Sequence, residues 1–135
     1  MQETITIKTD VTITDQDIEE ILDCALETGI SYWADSAQVV GTYAGKNIYE
    51  HFNNNGLVSI HLTEGSIVKD GPEWYELDRK KLLNGIKKYL EDPEKPYDIL
   101  SHNYPDETKL DTDQIDAEVA DMIMQYALFD EIVFA

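Results

Sequence analysis

The stretch Asp111–Ala135, DTDQIDAEVADMIMQYALFDEIVFA, decides how the chain folds. Ile115, Val119, Met122, Ile123 and Tyr126 recur at helical spacing, so one stripe of a helix can be buried. Asp113, Asp116, Glu118 and Asp121 fall on the opposite face, which predicts an acidic outer surface. The period then changes. Ile132, Val133 and Phe134 form a short apolar run of β-branched and aromatic residues, which predicts a buried strand closing the chain. A terminus this apolar is expected to be tied into the core.

The theme of one oily and one acidic face recurs upstream. Thr4–Lys8 alternates as a half-buried strand, and Val11–Ile13 is a short extended piece. Thr14 is a helix N-cap with Asp17 three residues on, in a position like that of a capping box. The helix is predicted from Asp15 to Thr28, with Gly29 as its C′ stop. Ile18, Ile21, Leu22, Ala25 and Leu26 make its inner stripe, and Asp15, Glu19, Glu20, Asp23 and Glu27 its outer surface.

In Ile30–Val40, Tyr32, Trp33, Val39 and Val40 favour a strand, while 34–38 fits a turn or bulge. A short helix follows over Lys46–Phe52, then an Asn53-Asn54-Asn55-Gly56 turn. Leu57–Leu62 and Glu73–Leu77 read as partner strands. Asp78 caps a helix to about Glu91, with Leu82, Leu83, Ile86, Tyr89 and Leu90 inside and Arg79, Lys80, Lys81, Lys87 and Lys88 outside. Tyr97–Leu110 reads as a long loop. Helices and strands do not alternate regularly. The expected class is α+β: one domain over residues 1–135, with a small, mostly antiparallel sheet packed against about three helices.

Composition narrows the function. The 28 acids and 10 bases give a net charge of −18, yet 42% of residues are hydrophobic and thirteen are aromatic, so the chain is folded rather than a disordered acidic tail. Residues 1–77 hold 14 acids and 3 bases, residues 78–95 hold 4 and 6, and residues 96–135 hold 10 and 1. Two acidic segments therefore flank a mildly basic helix. This field opposes direct binding to a nucleic-acid backbone or an anionic membrane. The single cysteine, Cys24, allows no intrachain disulfide. The N-terminus lacks the basic and apolar regions of a secretion signal, and no run reaches the roughly 20 apolar residues of a membrane span. A soluble protein of the bacterial cytoplasm is expected.

Motifs for chemistry are absent or broken. Gly41–Asn47 superficially resembles a phosphate loop, but three residues separate its glycines instead of four, and Asn47 replaces the magnesium-binding hydroxyl. His51, His61, His102 and Cys24 show no zinc-like spacing. Asp111, Asp113 and Asp116 lack the later positions of a calcium loop. No metal, cofactor or enzymatic activity is expected.

Three pieces together resemble a group of small acidic proteins encoded by phages and prophages of Gram-positive bacteria. They are Ile13–Ile18, Gly29–Trp33, and Ile115–Ala117 with Gln125–Phe134. The resemblance implies a mobile-element context and assigns no activity or site.

The leading expectation is a non-enzymatic interaction protein. Asp15, Glu19, Glu20, Asp23, Glu27, Asp113, Asp116 and Asp121 would present a phosphate-like negative surface to a basic host protein, such as a defence nuclease. A second reading is a protein that sequesters a nucleotide-like ligand between Tyr32, Trp33, Trp74 and Tyr75, helped by Lys46 or Arg79. A third is a structural or accessory phage protein whose acidity serves solubility. The surplus aromatics and the apolar C-terminus also permit a symmetric homodimer.

Overall fold

A computed structural model describes residues 2–4, 10–101 and 107–135. Most of the Thr4–Lys8 strand, His102 and the Tyr104-Pro105 pair lie outside the described residues. The element order is β1 (Val11–Thr12), α1 (Asp15–Cys24), β2 (Ala34–Val39), α2 (Ile48–Asn53), β3 (Val58–Leu62), β4 (Trp74–Leu77), α3 (Arg79–Glu91), β5 (Leu100–Ser101), β6 (Thr108–Leu110) and α4 (Ala117–Phe129). The class is α+β, as expected, but with two three-stranded sheets instead of one. β2, β3 and β4 form an antiparallel meander. β6 lies between β1, to which it is parallel, and β5, to which it is antiparallel. β5 and β6 therefore lie within the span read as a loop; strands of two and three residues are too short to show alternation.

α1 starts as its sequence dictates. The Thr14 hydroxyl accepts from the Asp17 amide at 3.1 Å, and Asp17 reaches back to the Thr14 amide at 2.9 Å, which completes a capping box. Ile18, Ile21 and Leu22 are fully buried. The helix then widens into a turn of π-helix over Ala25–Gly29. Gly29 does not stop it through a left-handed C′ conformation. A Cβ there would sit 2.9 Å from the Ala117 carbonyl of α4, so the position needs glycine because α4 approaches its backbone.

α4 is the central helix and packs on α3, the π turn, α1 and β4. Gly85 of α3 makes the second close approach. A Cβ there would lie 2.5 Å from the Ile123 carbonyl and 2.9 Å from the Ala127 amide. With neighbours on several sides, α4 buries Val119, Ala120, Asp121, Ile123, Met124, Gln125 and Ala127. The apolar ones among these join Trp33, Phe52, Ile60, Leu77, Leu82 and Tyr89 in one cluster shared with the meander.

The closing strand is not formed. Asp130 takes a left-handed conformation, φ 62°, and turns the chain back over the helix end. Ile132 and Val133 are exposed, and only Phe134 turns inward, stacked on Trp33 with centroids 5.3 Å apart. The Gln125 side chain replaces a strand partner. Its Oε1 accepts from the Val133 and Phe134 amides at 2.8 and 2.7 Å, and its Nε2 donates to the Phe134 carbonyl at 3.0 Å. The tail is anchored as expected, by one buried amide side chain rather than a β-ladder.

Candidate interaction surface

Burial of the apolar stripe fixes which way α1 presents its acids. Asp15, Glu20 and Glu27 are exposed, and Glu19 and Asp23 are half-buried. A 3₁₀ turn over Thr112–Gln114 packs on α1 and carries exposed Asp113. Exposed Asp116 caps α4, its carboxylate accepting from the Val119 amide at 3.0 Å. The two acidic segments converge at Cys24. Burial pushes this half-buried thiol above its usual pKa, and the charges of Asp116, Asp23 and Glu27 push it the same way. Asp23 and Glu27 of α1 and Asp116 at the start of α4 thus lie around one thiol.

α3 pairs with only one of the proposed acids. Arg79 binds Asp15 at 2.7 Å, Lys88 binds Asp130 at 2.9 Å, and Lys81 donates to the Glu76 carbonyl at 2.8 Å. Of the eight proposed acids, Asp15 alone is in an ion pair among the described residues.

Asp121 does not belong to this surface. It is 8% exposed and accepts from the Trp33 indole at 2.7 Å, the Tyr32 hydroxyl at 2.5 Å and Gln125 Nε2 at 2.9 Å. The helical wheel places it opposite the apolar stripe, but neighbours cover that side of α4 too. The signal lay in Gln125 four residues later, amid Ala120, Met124 and Ala127: a helix apolar on most sides is a buried helix.

The four aromatics of the ligand reading do not converge on a pocket. Trp33 is fully buried against Phe129 and Phe134. Tyr75 packs edge-on to Phe129 at 4.9 Å. Trp74, its neighbour on β4, points to the other face of the sheet and packs on His61 at 4.6 Å. Tyr32 is half exposed, with its hydroxyl on Asp121. A shallow groove of about 240 Å³, lined by Leu26, Ile30, Ser31, Ala34, Asp35, Ser36 and Ala37, contains none of them. It is smaller than the roughly 300–1,000 Å³ of ligand pockets. In the Gly41–Asn47 loop, the Glu50 carboxylate accepts from the Lys46 amide at 2.5 Å, so a negative group already occupies the site a phosphate would need.

Two more tyrosines donate to carboxylates: Tyr49 to Asp23 at 2.7 Å and Tyr126 to Asp92 at 2.6 Å. Burial, reinforced by these acceptors, pushes both phenols up to about 12. The Tyr126 hydroxyl in turn holds the Asp92 carboxyl below the usual range. A phenol raised on folding favours the folded state while it is protonated. This stability is complete below the unfolded value of about 10 and is lost as pH climbs through the folded value. The free energy of unfolding should therefore fall between pH 10 and 12, and less steeply in Tyr49→Phe. A flat profile in denaturant titrations over that window would count against these pairs.

Comparison of the chain with protein-family models, curated proteins and solved structures returns no match. Among the described residues, no helix is long and apolar enough to cross a membrane, and no group of three or more His, Cys, Asp or Glu is placed to hold a metal.

Proposed function

We propose that this chain is a non-enzymatic interaction protein that docks its acidic face on a basic, nucleic-acid-binding groove of another protein. The observation behind this reading is that Asp23 and Glu27 of α1 and Asp116 at the start of α4 lie around Cys24, while of the α3 bases only Arg79 pairs with one of the proposed acids, Asp15. Carboxylates held on two rigid elements can offer oxygens to Arg and Lys as phosphates do, and a fixed scaffold lowers the ordering cost of binding. The resemblance to phage-encoded acidic proteins favours a defence nuclease, or another nucleic-acid-binding protein, of a bacterial host. On this reading the chain works in the host cytoplasm and inhibits by occupancy.

The experiment uses a basic partner captured from host lysate on the immobilised chain. Its affinity is compared for the wild type and a fourfold variant, Glu19→Gln, Glu20→Gln, Glu27→Gln and Asp113→Asn. At about 0.5 kcal/mol per charge, the variant should bind roughly 30-fold more weakly. Equal affinities would overturn the proposal.

A further inference from the structure

The two edges of the β2–β3–β4 meander differ. Val40 donates to the Leu57 carbonyl, and Thr63 donates to that of Trp33. Antiparallel alternation then assigns Ser36 and Gln38 to the ladder with β3 and turns the N–H and C=O groups of Ala37 and Val39 to the outer edge. Neither of these N–H groups has a hydrogen-bond partner among the described residues. The opposite edge is guarded: the same alternation turns the Glu76 carbonyl outward on β4, where Lys81 Nζ takes it at 2.8 Å. An edge strand with unpaired backbone groups is a template for another strand, and a lysine is one of the ordinary guards against this.

Beside the open edge runs the 240 Å³ groove, between β2 and the π turn. Leu26, Ile30, Ala34 and Ala37 line it together with Ser31, Ser36 and Asp35, and its exposed lining is more polar than apolar. Asp35 is the extra residue of a bulge in β2, which turns its carboxylate outward, with one oxygen 2.6 Å from His61.

We propose that the β2 edge binds an extended basic segment of the partner as a fourth strand. Its backbone would pair with Ala37 and Val39, and alternate side chains would face the groove. Charge selects this occupant over a second copy of the chain. Pairing two β2 edges would bring together molecules of net charge −18 each, with no Lys or Arg lining the groove to offset the repulsion. The inference rests on the reading of a basic partner and adds to it the backbone that partner would engage.

The test titrates the isotope-labelled full chain with a peptide of about nine residues alternating Lys and Val, and with a control that carries Pro at every second Val position. Amide shifts and hydrogen exchange are read residue by residue. The expected result is saturable shifts and at least tenfold slowed exchange at Ala37 and Val39 with the first peptide, and neither with the control. Ala37→Pro removes an outward N–H that the ladder does not use, so the variant should fold and lose the effect. Shifts confined to Glu19, Glu20, Asp23, Glu27 and Asp116 would overturn the edge proposal and leave the acidic-face reading standing. Shifts confined to Ala37 and Val39 would support the edge and remove the acidic face as the docking site. Protection of Ala37 that rises with protein concentration alone, without peptide, would identify a homodimer edge and overturn the proposal.

Discussion

Gly85→Ala should destabilise the protein by about 3 kcal/mol, lowering Tm by roughly 10 °C. The sign is informative, because helix propensity alone predicts the opposite. Alanine is favoured over glycine in a helix interior by about 1 kcal/mol. The packing term opposes this and is larger. The added methyl would meet the Ile123 carbonyl at 2.5 Å and the Ala127 amide and Cβ at 2.9 Å. These are backbone or backbone-proximal atoms of a helix that is itself wedged between α3 and the π turn, so they cannot swing aside as a flexible side chain would. α3 must move away from α4, and the contacts of Leu82, Ile86 and Tyr89 loosen with it. Thermal unfolding monitored by circular dichroism checks this. A stabilised Gly85→Ala protein would show that the helices do not meet this closely.

Asp121→Ala should be comparably costly, at about 2–4 kcal/mol. Truncation strands the Trp33 indole N–H, which is wholly buried, and takes one acceptor each from Gln125 Nε2 and the Tyr32 hydroxyl, which keep the Phe134 carbonyl. Each orphaned donor costs about 1–3 kcal/mol, and tertiary relaxation recovers part of the sum. The damage would not stop there. Gln125 loses an anchor for its amide, and Gln125 holds Val133 and Phe134. The tail should then become accessible to carboxypeptidase, and the environment of Trp33 should change in fluorescence. Asp121→Asn keeps the shape and one acceptor oxygen, so it should lose about half as much. Asp113→Ala is the comparison: on an exposed turn it should stay within about 0.5 kcal/mol of the wild type. Equal, small effects at both positions would mean that Asp121 is a surface acid after all.

Much of the architecture was legible because it rests on local chemistry. Thr14 and Asp78 cap their helices as their sequence positions predict, while the Asn47 and Asp116 caps emerge only in the structure. Leu57–Leu62 alternates, and β3 buries Val58, Ile60 and Leu62. What was not legible depended on the identity of neighbours. Asp121 and Glu118 look alike in the sequence, yet one is enclosed and the other solvated. Trp33 reads as a strand residue, but it lies in the turn before β2, committed to Phe129 and Phe134 from the far end of the chain. Ile132–Phe134 has strand composition without a partner edge, since Gln125 satisfies its amides instead. The acidic face was legible on α1, where one buried stripe fixes the rest, and misjudged on α4, where burial extends around the helix.

The proposed docking is electrostatic: the acids of α1, with Asp113 and Asp116, are the groups proposed to meet a basic partner. Salt tests it most directly. The dissociation constant of the complex with the captured partner should be measured at about 50 mM and about 200 mM salt, for the wild type and the fourfold neutralised variant. The wild type should weaken about tenfold or more over that range, and the variant by much less. A wild-type affinity that does not change with salt would contradict the account.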